Sequence, residues 1–155
     1  MLKVGDKCPN FKTVTEAGDI VTNNDYLGNF LIVYFYPKDL TPGCTIESCA
    51  FNEKYEEIKS LGAEIVGVSK DSIARHIKFK EKHDLKFSLL VDEDTAICND
   101  FGVIQEKSMF GKKYMGIVRS TFLIDPNGSI IELWPKVKIS GHVDEVIKSL
   151  TAHSK

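Results

Sequence analysis

Apolar residues occur along this chain in two rhythms. From Phe30 to Tyr36 the run Phe-Leu-Ile-Val-Tyr-Phe-Tyr has no polar break, and such a stretch of β-branched and aromatic residues predicts a strand buried on both faces. Ile65 to Val68 and Leu89 to Val91 repeat that signature. Between these runs the apolar spacing lengthens to that of a helix. Thr45 to Leu61 places Phe51, Tyr55 and Ile58 on one stripe and ends at Gly62, a helix-stop signal. Ser72 to His83 does the same with Ile73, Ile77 and Phe79. The order is βαβαβ, which predicts parallel pairing because a crossover helix returns the chain in the same direction.

The last third changes character. Ser120 to Ile124 and Ser129 to Trp134 flank Asp125-Pro126-Asn127-Gly128, a turn sequence whose glycine supplies a positive φ, so an antiparallel hairpin is expected. A closing helix is predicted from Val143 to Thr151, and a small extra hairpin near the start from Phe11 to Val14 and Ile20 to Thr22. Gln105 to Tyr114, with Gly111 and three lysines, is the least patterned stretch and is expected to be a mobile loop. The sum is an α/β chain with a central mixed β-sheet flanked by helices on both faces, the layout of the thioredoxin fold, with an N-terminal β-hairpin extension. No linker, repeat or low-complexity tract interrupts it, so residues 1–155 are expected to form one domain.

Charge excludes some partners. With 20 basic and 22 acidic residues, net −2, neither sign dominates, which argues against a nucleic acid or a membrane surface. Lys78, Lys80 and Lys82 alternate with Phe79 and Glu81 and read as a solvated helix face. The first residues contain no apolar signal segment, and nothing approaches the ~18 apolar residues of a membrane span. The expected location is the cytoplasm, where the four cysteines should be free, catalytic or metal-bound rather than permanent cross-links.

Two of those cysteines stand at a strand-to-helix junction, in Tyr36-Pro37-Lys38-Asp39-Leu40-Thr41-Pro42-Gly43-Cys44-Thr45-Ile46-Glu47-Ser48-Cys49. Pro37 stops the strand, Thr41 has N-cap character, and Pro42 suits the first helical position, where its missing N–H costs nothing. Cys44 then falls at the third helical position. There it faces unsatisfied backbone N–H groups and the positive end of the helix dipole, which favour thiolate over thiol. Gly43, without a side chain, is expected to leave the approach to the sulfur open. Cys98 is expected to pack against core, and Cys8, before Pro9, has no helix or charge to activate it. His76, His83, His142 and His153 are scattered, with no spacing typical of a metal site. Trp134 is expected to be core or edge packing.

At these residues the chain resembles the peroxiredoxins, specifically the bacterioferritin-comigratory, or PrxQ, subfamily, over nearly its whole length. The pattern Pro-x-x-x-Thr-x-x-Cys is met by Pro37, Thr41 and Cys44, and the subfamily's Thr-Pro-Gly-Cys-Thr, with a second cysteine five positions on, by Thr41 to Thr45 and Cys49. Tyr34 to Lys38, Val91 to Asp94 and Arg119-Ser120-Thr121-Phe122-Leu123-Ile124-Asp125 add to the likeness. The resemblance implies a peroxidatic Cys44 that reduces hydrogen peroxide or an organic hydroperoxide and becomes a sulfenic acid. It implies a resolving Cys49 that closes a disulfide, and Thr41 and Arg119 completing a site shielded by Pro37. Glu47 matches a glutamate that orients the arginine, although a helix-surface carboxylate would explain it too. Thioredoxin or a similar protein would be the reductant, with no cofactor, and the subfamily is often monomeric.

Ionisation alone cannot supply the chemistry. A free cysteine is a few per cent thiolate near neutral pH, so full ionisation raises the reactive fraction only about thirtyfold, or ~2 kcal/mol. Enzymatic acceleration usually begins near ~10⁶-fold. The remainder has to come from donors that grip the peroxide as charge moves onto the leaving oxygen, for which Arg119, the Thr41 hydroxyl and first-turn N–H groups are the candidates. Two other classes compete with this reading. A thiol–disulfide oxidoreductase shares the fold but places two residues between its cysteines, where four intervene here. A zinc-binding or chaperone-like module would need Cys8, Cys44, Cys49 and Cys98 together.

Overall fold

The computed structural model describes residues 2–154. A five-stranded sheet runs through its centre in the order β5-β4-β3-β8-β9, formed by β3 (Phe30–Phe35), β4 (Ala63–Ser69), β5 (Ser88–Val91), β8 (Ser120–Ile124) and β9 (Ile130–Trp134). β3, β4 and β5 pair in parallel, while β3–β8 and β8–β9 are antiparallel. β3 is thus the centre of the sheet and the boundary between its two halves, and all but its first residue is buried. The small hairpin of β1 (Lys12–Val14) and β2 (Ile20–Thr22) precedes it. This is the mixed sheet expected of the thioredoxin fold.

Side chains alternate along β3 and sort into two cores. Ile32, Tyr34 and Tyr36 face one side and pack with Phe51 of α1 (Pro42–Glu53), Ile58 of α2 (Tyr55–Ser60), Phe79 of α3 (Ile73–His83) and Leu150 of α5 (His142–His153). Leu31, Val33 and Phe35 face the other side, with Phe11, Phe122 and Cys98 of α4 (Ala96–Asp100). Four helices therefore cover one face and one short helix the other. Gly67 on β4 lies opposite Tyr34, and a Cβ there would come within 2.9 Å of the tyrosine ring. The absent side chain is what admits that ring.

Three sequence expectations need correction. The helix expected from Thr45 to Leu61 breaks at Lys54, whose ψ of 7° ends α1 before α2 begins. On α3 the inward residues are His76 and Phe79, whereas Ile73 and Ile77 are 36% and 40% exposed. The rotation brings a histidine to a buried carboxylate, a partner that an apolar count does not register. Gln105 to Tyr114 is a hairpin, not a loop: β6 (Ile104–Met109) pairs with β7 (Lys112–Ile117) around Phe110 and Gly111, both at positive φ. Its apolar side chains are largely exposed, so no buried face imposes an alternating pattern. Lys78 and Lys82 are exposed as expected, but Lys80 reaches back to the buried Glu16 at 2.9 Å. Among the described residues, no helix is long and apolar enough to cross a membrane.

Candidate active site

The site forms where β3 ends. Tyr36 N–H still bonds to Val68 of β4 at 3.1 Å; Pro37 has no N–H to continue the ladder. The chain crosses Leu40 at a φ of 65° and enters α1 through Thr41, in extended conformation, with Pro42 at the first helical position. Thr41 does not cap the helix with its side chain. Its hydroxyl donates to the Lys38 carbonyl at 2.8 Å, which leaves its oxygen lone pairs available to accept a hydrogen bond from a bound molecule.

Cys44 stands in the first turn of α1, and its side chain is buried. Arg119, between β7 and β8, reaches it from the other half of the sheet: Nη2 lies 3.4 Å from Cys44 Sγ, and Nη1 donates to Glu47 Oε1 at 2.8 Å. One planar guanidinium therefore joins the thiol to a carboxylate one helical turn further on. Glu47 is buried inside the helix's contact, not on its surface, and its Oε2 has no hydrogen-bond partner. Burial pushes the Glu47 carboxyl up to about 7 against the pull of Arg119. Gly43 has a different use from the one expected. A Cβ there would press at 3.3 Å on both Arg119 Nη2 and Ile139 Cδ1, so the glycine makes room for the guanidinium instead of opening a path to the sulfur.

Pro37 and Arg119 line a solvent-open cleft of about 500 Å³ with Lys107, Pro135 and Val137. Lys107 escaped the sequence reading, because its segment carried no pattern. Its ammonium donates to the Ile117 carbonyl and is held below the usual lysine range by burial and by the neighbouring Arg119 charge.

Cys49 lies on α1 as well, half-buried, and burial and the nearby Glu53 carboxylate both raise its thiol. All four cysteines are free. Cys8 and Cys98 pack with the core on the opposite face of the sheet from Cys44, so the four do not converge as a zinc module requires. Burial pushes the Cys8 thiol up to about 11, and burial with the Asp92 carboxylate pushes that of Cys98 far higher. Trp134 packs edge-on against His142, which bonds to Thr121 Oγ1 at 2.7 Å. Burial, with some help from Arg119, pushes His142 down to about 4.

The family model described as the AhpC/TSA family matches residues 4–133. Peroxiredoxin Bcp of Bacillus subtilis is 48% identical over 149 residues, covering 96% of this chain and 95% of that protein. A solved structure of the Xanthomonas campestris bacterioferritin comigratory protein, which has alkyl peroxide reduction activity, superimposes with a TM-score of 0.90 at 44% identity, over 94% of this chain and 92% of that one. A mutant PrxQ from Xylella fastidiosa gives a TM-score of 0.94 at 38% identity, over 100% and 99%.

Proposed function

We propose, from the premise that the chain belongs to the AhpC/TSA family and is a thiol peroxidase of its Bcp, or PrxQ, type, that Cys44 is the sulfur that attacks the peroxide. The observation that carries this reading is the Arg119 guanidinium held at 3.4 Å from Cys44 Sγ by its bond to Glu47. Two of its five N–H donors are engaged there, and others remain for the peroxide. The Cys44 thiolate attacks the terminal peroxide oxygen. The S–O bond forms as the O–O bond breaks, the sulfur becomes a sulfenic acid, and the leaving alkoxide takes a proton from water to depart as an alcohol. Arg119 stabilises the charge on the leaving oxygen, the Thr41 oxygen accepts from the attacked hydroxyl, and Pro37 walls off one side of the cleft.

The sulfenic acid then condenses with the Cys49 thiol, releasing water and forming a Cys44–Cys49 disulfide. A thioredoxin-type protein in the cytoplasm returns both sulfurs to thiols, and the chain acts as a monomeric single domain. With Cys49→Ser the first step survives and the second cannot occur. That variant is expected to consume one peroxide per chain in forming the sulfenic acid, and a second only where excess peroxide carries it on to sulfinic acid, both products visible by mass spectrometry. Repeated turnover at the wild-type rate would remove Cys49 from the cycle.

Both cysteines lie in one helix. Five residues along an α-helix advance ~7.5 Å and turn about 140° past a full turn, while a disulfide needs Cα atoms within ~7 Å and converging Cβ vectors. Closing the bond therefore requires the first turns of α1 to unwind, the segment whose Ser48 hydrogen-bonds to Tyr34 of β3 at 2.7 Å. Amide exchange across Thr45 to Phe51 is expected to be faster in the disulfide form than in the reduced form. Equal protection in both, with the disulfide confirmed by mass, would show that resolution needs no unfolding.

A further inference from the structure

Beneath the loop that leads into Cys44 lies a buried cluster of charges that the reaction as described does not use. Asp39 and His76 are both fully buried. Asp39 Oδ1 accepts from the Tyr36 hydroxyl at 2.5 Å and Oδ2 meets His76 Nδ1 at 2.6 Å. Its backbone is held as well: the N–H donates to Asp71 Oδ2 at 2.8 Å, and the carbonyl accepts from Arg75 Nη2 at 2.8 Å. Asp71 takes Ser69 Oγ on Oδ2 and Arg75 Nε on Oδ1. Asp39, Asp71 and His76 lie close enough together to surround a cation. Every carboxylate oxygen already accepts a hydrogen bond, however, and Arg75 and His76 supply positive charge from the protein itself.

The decisive geometry is at the imidazole. Nδ1 faces the Asp39 carboxylate and Nε2 faces the Leu90 carbonyl of β5 at 2.9 Å. Both partners are acceptors, so both ring nitrogens must carry hydrogen when Asp39 is ionised. We propose that His76 is a positioning residue for the peroxide reaction: as a buried imidazolium it fixes Asp39, and through Asp39 it holds the Tyr36–Thr41 loop in the conformation that presents Thr41 and the first turn of α1 to the substrate.

The backbone supplies the reason for so firm a hold. Leu40, next to Asp39, is a branched residue in the left-handed region, a conformation that persists only where the surroundings over-determine it. All four polar groups of Asp39 are engaged by α3, by the end of β4 and by the loop itself, and Thr41 follows two residues later. His76 ties this arrangement to β5, so the clamp rests on the parallel half of the sheet. Arg119 comes from the antiparallel half. The site is assembled from both sides, the buried His76 serving one and the half-buried Arg119 the other.

The charged groups facing His76 are Asp39 from the loop and Asp71 from the end of β4, with Arg75 one residue before it on α3. Burial alone would push His76 down, but Asp39 overrides this and holds it above the usual imidazole range. Because the folded value is raised, the charge on His76 contributes below the ordinary imidazole value, and that contribution is lost as pH rises through the raised one.

This inference rests on Cys44 being the reacting sulfur, and the test separates the two. The measurement is the rate of Cys44 with hydrogen peroxide, set beside its rate with iodoacetamide, which needs a reachable thiolate but no loop to grip a peroxide. His76→Asn keeps a donor near Nδ1 and removes the charge. It is expected to lower the peroxide rate about a hundredfold, the scale of a misplaced catalytic group, with the iodoacetamide rate within about threefold of wild type. Equal losses of both rates, or no loss of either, would overturn the proposal. Nitrogen NMR of the wild-type imidazole decides the matter even if the variant does not fold: both His76 nitrogens are expected to be protonated at neutral pH, and a neutral ring would overturn the proposal. In the wild type, the peroxide rate is expected to fall at alkaline pH where the iodoacetamide rate holds level; parallel profiles would count against the clamp. Failure of wild-type Cys44 to form a sulfenic acid would instead remove the proposed role of Cys44, and the NMR result would stand apart from it.

Discussion

Cys44→Ser is expected to reduce peroxide turnover to the uncatalysed level, the largest loss available to any single substitution in this chain. A serine hydroxyl remains protonated at neutral pH, and neither neighbour of the sulfur can remedy that. Arg119 has only donors, and the one Glu47 oxygen near it is already bonded to the guanidinium. Cys8→Ala and Cys98→Ala provide the comparison. Both residues lie on the far side of the sheet, and burial keeps both thiols protonated, so peroxide consumption coupled to a thioredoxin system should change little. Comparable loss in a folded Cys98→Ala protein would displace Cys44 from its proposed role.

The second largest effect is expected at Arg119. Its removal takes a fixed positive charge from beside the sulfur and a donor from the leaving oxygen, and the two losses have different ceilings. Ionisation is worth at most about thirtyfold, whereas a donor aimed at developing charge is worth about 10²–10³. Arg119→Met is therefore expected to lower the peroxide rate constant by more than the drop in thiolate fraction, with the two followed separately by stopped-flow and by ultraviolet thiolate absorbance. Equal losses would leave ionisation as its sole contribution. Arg119→Lys should restore little, because an ammonium cannot span Glu47 Oε1 and Cys44 Sγ as two nitrogens of one plane do.

The strands of the central sheet were legible because Phe30 to Phe35 and its neighbours are buried on both faces and so carry an unbroken apolar signature. The start of α1 was legible for another reason: Thr41, Pro42 and the position of Cys44 obey local backbone chemistry that needs no tertiary context. Where burial and local chemistry are silent, the sequence misled. The β6–β7 hairpin exposes most of its side chains and is held by backbone pairing that any residue provides. The inward face of α3 is turned by the ion pair of His76 with Asp39, 37 residues away in the chain, so apolar spacing placed Phe79 correctly but Ile73 and Ile77 on the wrong side. Glu47 could be placed near an arginine only through family resemblance, and nothing local revealed that one of its oxygens would be buried without a partner.

The guanidinium and the thiol it touches are 75 residues apart in the chain. During synthesis Cys44 leaves the ribosome long before Arg119, and β3 waits for β8 to supply its second neighbour. Contacts of such long range form late in folding, after the loop between them has been closed. A nascent or unfolded chain thus carries a cysteine with no fixed cation beside it and no helix start to sit on. On the proposed role of Cys44, its reactivity toward peroxide is acquired together with the finished sheet.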